Sequence, residues 1–513
     1  MTNLHNSSSP KPALLLVIDG LRPDILRAAI RDGEAPNLGA LAERGEAVWD
    51  AVSVFPSITP AATSAIATGK APAESGIFGH AWYDRDEKRV IVYGAKTETV
   101  LGAGPIKVFH NNVWRMNRDH LRATTLFEEL HERGYDGACV NFPVRRGPYE
   151  HPVRMKTVEG YLVGGKYLGS SVDGPKEYFM GDLFYSRETS ANGRRGNGGL
   201  HRSVGINDRY AAEVGAMLIE EQTSPFNLVY FFKGDSIAHH KGLAAQKRHV
   251  SVVDGYVGRI FEAGGGVERM LEEYAILAIS DHGHNPLLPK GRYVDLRTIP
   301  GERVSSSPKA SFKKETSVVA IPNGRAALLY LGETASPEGV SEKLVSRNGV
   351  DLAAWRGDGL ITVHSSETKL AFRPASSASS ASEGPKDSFG RPWELIGDPS
   401  TLDLRVSDGS IEHGRYPDAL ERLWGCLNSP RCGDVVLSAT SGYTFGEVTG
   451  GFHEASDHGS LHESDSLVFA LASGIPAPRR ITDVTPTFLA HFGDRREKPE
   501  KSETGDEVEH GVV

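Results

Sequence analysis

The sequence predicts an α/β protein: a three-layer αβα sandwich in which helices cover both faces of a central, mostly parallel sheet. Two observations predict this fold class. Short, continuously apolar runs recur along the chain, and helix-like stretches separate them. A strand that is buried on both faces is apolar throughout, whereas a strand with one solvent-exposed face alternates. Strands that alternate with helices are typical of a sheet covered on both sides.

Five apolar runs are the predicted strands, and several of them end in an acidic residue or a turn. They are ALLLVIDG (13–20), ACVNFP (138–143), FNLVYFFKGD (226–235), AILAISDHGH (275–284) and DVVLSA (434–439). The predicted helices between them are APNLGALAERG, TLFEELHERGYDG, NDRYAAEVGAMLIEEQ and KRHVSVVDGYVGRIFEA. Ligands of open α/β sheets bind beyond the carboxyl ends of the strands. Asp19, Asp235, Asp281 and His282 fall at these ends.

The rest of the chain is less regular. Residues 85–120 and 144–205 show weak periodicity and are predicted as long loops over the strand ends. From about residue 290 to 430, short strand-like pieces such as TSVVAIP and LITVHSS predict an inserted antiparallel cap domain. Within it, the Ser- and Ala-rich segment 373–390 is predicted as a mobile loop.

The predicted organisation has five parts. They are a disordered N-terminus (1–11), the first part of the catalytic α/β core (12–290), the inserted cap region (291–431), the second part of the core (432–493) and a disordered tail (494–513).

Composition narrows the range of functions. The 57 Lys and Arg residues against 66 Asp and Glu residues give a formal charge of -9, which argues against a broad nucleic-acid surface. The segment MTNLHNSSSPKP lacks the apolar core of a signal peptide, and the first apolar run is too short to span a bilayer. We therefore expect a cytoplasmic protein without a membrane anchor. Cys139, Cys426 and Cys432 are too few for a disulfide framework, and their spacing matches no thiolate metal site.

Several polar clusters have the composition of metal sites. In KGDSIAHHKG, Asp235 and His239 are four residues apart, so on a helix they face the same side and can hold one ion. Asp281 and His282 are adjacent in a strand-end loop, and His458 lies in SDHGSLHESD. With Asp19 from the first strand, the chain offers three aspartates and three histidines. With one hydroxyl, this set would suit two zinc-like ions that share a nucleophile.

The hydroxyl is predicted in the segment VFPSITPAATSAIATG (54–69). Thr59 is a good helix N-cap and Pro60 suits the first helical position, so a helix is predicted to start here. The hydroxyl of Thr59 would then lie at a positive helix end, where anions bind well.

Five motifs occur in the order found in the alkaline phosphatase superfamily: DGLRPD, FPSITPAATSAIATGKAPAESGI, DSIAHHKG, SDHGH and DHGSL. Within it the chain most resembles the type I phosphodiesterase / nucleotide pyrophosphatase branch. The pattern F-P-x-x-T, followed nine residues later by T-G, is matched by Phe55, Pro56, Thr59, Thr68 and Gly69. The likeness covers roughly residues 12–82, 225–285 and 432–492.

This resemblance implies a two-metal hydrolase of phosphate diesters or nucleotide pyrophosphates that acts on a small phosphorylated substrate through a phospho-threonine intermediate. Thr59 would be the nucleophile. One ion would be bound by Thr59, Asp19, Asp281 and His282, and the other by Asp235, His239 and His458. The expected metal is Zn²⁺, although Asp and His ligands also suit manganese or iron. The resemblance implies no oligomeric state.

Two alternatives remain open at the level of sequence. Nucleotide pyrophosphatases commonly have an asparagine three residues after the nucleophile, where this chain has Ala62. A phosphonoacetate-type or phosphomonoester hydrolase with the same centre is therefore an alternative, and a non-catalytic binding protein of the same fold is another. Candidate replacement phosphate or carboxylate ligands are Asn111, Asn112, Arg115, Arg145 and Arg146.

Four further histidines lie beside the predicted ligands: His240, His284, His453 and His462. Any of them could be a ligand in place of its neighbour, and His462 is the main rival of His458. His458 is preferred because it directly precedes the Gly-Ser of the family motif. His453 and His462 could instead orient ligands through hydrogen bonds.

Overall fold

The computed structural model describes residues 9–94, 97–154, 170–192, 206–375, 384–448 and 452–495. The predicted disorder of residues 1–8 and 496–513 lies outside this part of the chain. So does the centre of the predicted mobile loop, residues 376–383.

A large central sheet is the main feature of the fold. Its eight described strands lie in the order Glu46–Val52, Leu467–Ser473, Ala275–Ile279, Ala13–Ile18, Phe226–Phe231, Gly137–Val140, Glu177–Met180 and Phe184–Tyr185. The five strands from Ala275–Ile279 to Glu177–Met180 run parallel. The strand Leu467–Ser473 is antiparallel to both of its neighbours. The predicted α/β fold with a mostly parallel central sheet is confirmed.

Helices cover both faces of this sheet, because alternate residues of each buried strand point to opposite sides. Leu14 and Leu16 pack in a core with the helices Pro23–Arg31, Asp208–Glu221 and Leu243–Ala263. Leu15 and Val17 face the other core, to which the helices Thr59–Thr68 and Val484–Phe492 contribute Ile66 and Phe488.

The other helices are mostly short. They are Pro36–Arg44, Pro72–Ser75, Thr97–Ala103, Pro105–His110, Leu126–Glu132, Lys233–Lys241, Val267–Glu273, Pro337–Val345, Ala419–Leu427 and Glu463–Ser466, with a π-helix at Asn111–His120 and 3₁₀ turns at Pro399–Leu402 and Ile481–Asp483. Side chains cap some of their starts. For example, Thr125 and Glu128 form a capping box before Leu126–Glu132.

A second sheet packs against the same core as Leu15 and Val17. Its strands lie in the order Val304–Ser305, Val318–Gly324, Ala326–Leu331, Val435–Ala439, Val350–Gly357, Leu360–His364, Lys369–Pro374 and Trp393–Gly397, and Gly446–Glu447 pairs with Val318–Gly324. All pairs are antiparallel except the first. The sheet therefore draws strands from both sides of the predicted boundary at residue 431. The boundary itself stays a prediction.

Four two-stranded pairs complete the described strands. They are Ala81–Asp84 with Arg89–Val92, Tyr149–Pro152 with Ser171–Gly174, Asn285–Pro286 with Ser456–Asp457, and Leu404–Ser407 with Ser410–His413.

The structure corrects three predictions about local structure. The run DVVLSA forms Val435–Ala439 in the middle of the second sheet, where it is buried on both faces, so a continuous apolar run did not identify the sheet. Residues 85–120 are largely strand and helix instead of loop. In 144–205, the strand Glu177–Met180 extends the central sheet, although four-residue strands leave little periodicity in a sequence.

Candidate metal centre

Three neighbouring parallel strands bring the predicted acidic ligands together. Asp19 directly follows Ala13–Ile18, and Asp281 follows Ala275–Ile279 after one residue. The helix Lys233–Lys241, which contains Asp235, begins two residues after Phe226–Phe231. Because these strands are parallel and adjacent, their carboxyl ends share one edge of the sheet.

The helix that presents the threonine starts one residue earlier than predicted. Thr59 is its first residue and Pro60 its second, while the cap position belongs to Ile58, which makes no side-chain capping bond. Thr59 is thus not an N-cap. Its hydroxyl Oγ1 lies 3.1 Å from Nε2 of His282. The fixed φ of proline suits the first turn of a helix, so Pro60 stabilises this start.

One half of the centre is rich in oxygen donors and consists of Asp19, Asp281, His282 and Thr59; we call it the oxygen-rich half. Nε2 of His282 lies 3.2 Å from Oδ1 of Asp19 and 3.6 Å from Oδ2 of Asp281. The other oxygen of each carboxylate accepts a hydrogen bond, from the Tyr230 hydroxyl to Asp19 and from the backbone N–H of Gly20 to Asp281. These bonds orient the remaining oxygens toward His282.

The other half, the imidazole-rich half, consists of Asp235, His239, His284 and His458. Oδ1 of Asp235 lies 3.2 Å from Nε2 of His239, 3.0 Å from Nε2 of His284 and 3.6 Å from Nε2 of His458. Backbone carbonyls fix two of the rings. Nδ1 of His239 lies 2.9 Å from the carbonyl oxygen of Ser456, and Nδ1 of His458 lies 2.8 Å from that of Ser57.

When Nδ1 donates to a carbonyl, the proton is on Nδ1 and the lone pair is on Nε2. His239 and His458 can therefore present the lone pair of Nε2 to an ion beside Asp235 once Nε2 carries no proton. The two halves are in contact, because the rings of His282 and His458 stack with centroids 3.7 Å apart.

The charges of the oxygen-rich half are poorly balanced. Burial, with repulsion from Asp281 and Asp235, raises the pKa of Asp19 well above its usual range. Burial also raises the pKa of Asp281. Burial alone would lower the pKa of His282, but the carboxylates of Asp281 and Asp19 raise it to about 10. A cation beside these buried carboxylates would stabilise their charged form.

The imidazole-rich half is closer to neutral. Burial opposes ionisation of Asp235, yet His239 and His284 hold its pKa well below the usual range. Burial would lower the pKa of His239, but Asp235 raises it to about 9. Burial and the neighbouring histidines lower the pKa of His284 to about 4 and that of His458 well below its usual value.

These side chains fit a divalent metal centre. The donor atoms of Asp19, Asp281 and His282 lie within 4.8 Å of one another, as do those of Asp235, His239 and His458. Within this cluster, three buried carboxylate oxygens have no hydrogen-bond partner among the described residues: Asp19 Oδ1, Asp235 Oδ1 and Asp281 Oδ2. Unsatisfied buried carboxylate oxygens that face imidazole nitrogens are the arrangement that a cation completes.

The structure therefore brings all seven predicted side chains into one cluster. It places His462 outside this cluster, since Nδ1 of His462 lies 3.0 Å from Oγ of Ser464 and its ring packs against Tyr416. His240 is exposed. His453 stacks on the ring of His239 with centroids 3.6 Å apart.

The proposed phosphate-binding side chains from the loops are engaged elsewhere. Asn111 and Asn112 donate to the carbonyl oxygens of Val92 and Tyr93, and Arg115 pairs with Glu87 and Asp119. The guanidinium groups of Arg145 and Arg146 bind backbone carbonyls, and that of Arg146 also pairs with Glu128. These five side chains bind other parts of the fold, so they do not replace the donor missing at Ala62.

Two contributors were not predicted from the sequence. Tyr230 lies in the middle of an apolar strand, where no pattern distinguishes it from a core residue. Asp457 accepts hydrogen bonds from the His458 backbone and the Thr444 hydroxyl. A signal for Asp457 does exist, since the tetrapeptide SDHG occurs twice, at 280–283 and at 456–459.

A family model described as type I phosphodiesterase / nucleotide pyrophosphatase matches residues 13–461. The chain belongs to this family. It is therefore a hydrolase of the phosphodiesterase or pyrophosphatase type within the alkaline phosphatase superfamily. The match runs through the predicted cap region, for which the sequence showed little resemblance. No curated protein matches the chain significantly.

Solved structures of similar fold span nearly the whole chain. Murine ectonucleotide pyrophosphatase / phosphodiesterase 5 is 13% identical with a TM-score of 0.54, and the match covers 94% of this chain and 95% of that one. An inactive threonine-to-alanine variant of the murine protein, in complex with AMP, matches equally well. Phosphonoacetate hydrolase from Sinorhizobium meliloti 1021, in complex with phosphonoformate, is 18% identical with a TM-score of 0.52, covering 94% and 96%. At these identities the likeness establishes the fold alone.

In the part of the chain that the structure describes, every helix is too short or too polar to cross a membrane.

Proposed function

We propose that the protein cleaves phosphate diesters or nucleotide pyrophosphates with two divalent metal ions, Zn²⁺ for preference, and a phospho-threonine intermediate. The proposal rests on one observation: the Thr59 hydroxyl, at a helix start, lies 3.1 Å from His282 in a cluster with unsatisfied carboxylate oxygens. A threonine hydroxyl is a weak nucleophile at neutral pH and needs activation. The substrate would be a small phosphorylated molecule.

Each half of the centre would hold one ion. Asp19, Asp281 and His282, with Thr59, would bind the first, and Asp235, His239 and His458 the second. When bound, the ions would favour the Thr59 alkoxide and neutralise charge on the phosphoryl group. Mixed carboxylate and imidazole donors suit Zn²⁺, which is commonly bound by Asp, Glu and His.

The chain's own groups would then perform two displacements. Oγ1 of Thr59 gives up its proton, which passes through solvent to the leaving oxygen, and forms a bond to phosphorus while the bond from phosphorus to that oxygen breaks. A water molecule next attacks the phospho-threonine, the bond from Oγ1 to phosphorus breaks, and a proton of that water goes to Oγ1, which regenerates Thr59. The start of the Thr59–Thr68 helix points backbone N–H groups toward this position, which favours the negative charge of the phosphoryl group.

The comparisons support this proposal without identifying the substrate. The murine relative that binds AMP was inactivated by replacing a threonine with alanine, which is consistent with a threonine nucleophile here. The second candidate, a phosphonoacetate-type or monoester hydrolase, is favoured by Ala62. This residue is buried on the nucleophile helix, and its methyl side chain cannot donate to a phosphate oxygen.

The test is metal analysis of the purified protein together with hydrolysis of a bis-aryl phosphate, a mono-aryl phosphate and phosphonoacetate. We expect two ions per chain and preference for the bis-aryl phosphate. Thr59→Ala should lower its hydrolysis at least about a thousandfold while both ions remain bound. Thr68→Ala, at the other end of the same helix, is the matched control and should keep most of the activity.

Each proposal has a distinct contrary result. If Thr59→Ala hydrolyses the panel at the parent rate, the covalent mechanism is wrong. If phosphonoacetate is the substrate cleaved fastest, the protein is a phosphonoacetate-type hydrolase and the proposed diesterase activity is wrong. A protein that binds ions and phosphorylated ligands but turns over none of the panel would point to a non-catalytic member of the family.

A further inference from the structure

We propose that His284 is a fourth protein ligand of the ion in the imidazole-rich half, which would then be held by Asp235, His239, His284 and His458. This proposal rests on the proposed function, because it concerns one of the two ions of the same centre. It adds a ligand beyond the seven side chains derived from the sequence, and it makes the two halves chemically unequal.

The distance between His284 and Asp235 matches that between two ligands of a single ion. Nε2 of His284 lies 3.0 Å from Oδ1 of Asp235, closer than the corresponding atoms of His239 and His458. Two donors that are each about 2.0–2.1 Å from a tetrahedral zinc ion are roughly 3.3 Å apart. The donor atom of His284 also lies within 4.8 Å of those of Asp235 and His282, so His284 stands where the two halves of the centre meet.

The two facing atoms have no partner outside the cluster of imidazoles and carboxylates. Among the described residues, neither Nε2 of His284 nor Oδ1 of Asp235 has a hydrogen-bond partner, although both atoms are buried. His284 is fully buried. A buried imidazole nitrogen without a partner is costly, and a shared cation would satisfy both atoms.

The surrounding residues fix the ring in this position. Arg22 donates to the backbone carbonyl of His284 at 2.7 Å, and the next residue, Asn285, pairs with Asp457 in a short antiparallel ladder. Nδ1 of His284 lies 3.3 Å from Oγ of Ser456, so the other nitrogen, Nε2, is the one directed at Asp235.

Gly20 provides the space for this nitrogen. A Cβ added to Gly20 would lie 2.7 Å from Nε2 of His284 and 3.3 Å from Cβ of Asp235. The backbone φ of Gly20 is +64°, a conformation that glycine adopts without steric cost. The first strand end is thus shaped to admit an imidazole beside Asp235.

Four protein donors would leave this ion fewer open positions than the other ion has, although zinc can take a fifth ligand when a phosphoryl oxygen binds. The ion of the imidazole-rich half would therefore be held tightly, with its open coordination positions reduced. In the oxygen-rich half, a position beside Thr59 stays available to substrate.

The test uses metal-free protein titrated with Co²⁺, whose visible absorption reports the number and type of ligands. We compare the parent with His284→Ala and with His284→Met, which keeps the volume of the side chain. Both variants should still bind two ions. In both, the affinity for one ion should fall at least about tenfold, and the absorption bands of that ion should shift. Added imidazole should restore the parent spectrum of His284→Ala.

His240→Ala is the matched control, because His240 is exposed on the same helix as His239 and should leave the titration unchanged. Unchanged affinities and spectra in both His284 variants would overturn the proposal and leave His284 as a support for Asp235. A parent protein that binds no Co²⁺ would instead refute the proposed function itself, so the two failures can be told apart.

Discussion

The two halves of the centre share one edge of the sheet but differ in how they balance charge. The oxygen-rich half places two carboxylates, Asp19 and Asp281, around one imidazole, and burial raises the pKa of both acids. In the imidazole-rich half a single carboxylate, Asp235, faces three imidazoles, and its pKa is held well below the usual range. The first half needs a cation to keep its charges buried, whereas the second is nearly balanced by its own side chains. Thr59 lies beside the half with the unbalanced charge.

The largest expected effect comes from removing one carboxylate from each half. Asp281→Asn should abolish binding of the ion beside Thr59 and lower diester hydrolysis at least about a thousandfold. Asp235→Asn leaves three imidazoles in place, so it should keep two ions, one of them more weakly bound. The metal content and the kcat of the two variants test this predicted difference. Equal losses of metal in both would show that the halves do not differ in this way.

The next effect concerns the order in which the ions leave. Four protein donors should hold the ion of the imidazole-rich half more tightly than the other half holds its own. With increasing chelator concentration, we expect one ion to be removed at a concentration at least about tenfold below that needed for the second. Loss of activity should follow the first ion. Simultaneous loss of both ions would contradict the inequality of the halves.

The centre should also release protons when ions bind. In the metal-free protein the pKa of His282 is about 10 and that of His239 about 9, so both rings carry a proton at pH 7 on the atoms that face the carboxylates. Ion binding displaces these protons, so affinity should rise with pH up to about 9 to 10 and then level off. Calorimetry in buffers of different ionisation enthalpy should detect about one proton per half. Binding that is independent of pH below 9 would be inconsistent with these pKa values.

The smallest effect separates backbone strain from contact with His284. Gly20 and Gly33 both have positive φ, +64° and +75°, but a Cβ at Gly33 would meet no atom within 4 Å. Gly33→Ala should therefore lower the free energy of unfolding by about 1–2 kcal/mol through strain alone. Gly20→Ala should cost more and should also weaken the binding of one ion. Denaturant unfolding and Co²⁺ titration measure both effects. Equal behaviour of the two variants would show that the space beside Gly20 is not needed by the centre.

Local sequence predicted the core fold well where the pattern was long and regular. The runs at 13–20, 226–235 and 275–284 form the central parallel strands, because strands buried on both faces must be apolar throughout. The same reasoning assigned residues 434–439 to the central sheet, but they form a strand in the middle of the second sheet, which is buried on both faces as well. Residues 97–120 are helical although their apolar spacing is weak, because packing and not propensity stabilises most helices.

The sequence by itself determined which donor types the chain has and the strand ends at which they lie. Asp19, Asp235 and Asp281 follow apolar strands, and parallel strands share their carboxyl edge, so proximity followed from pattern. Only the tertiary structure decided which histidines join them. His284 and His462 flank similar motifs, yet the first faces Asp235 and the second faces Ser464. That choice depends on loop packing between residues hundreds of positions apart, such as Gly20 against His284, and no local pattern records such contacts.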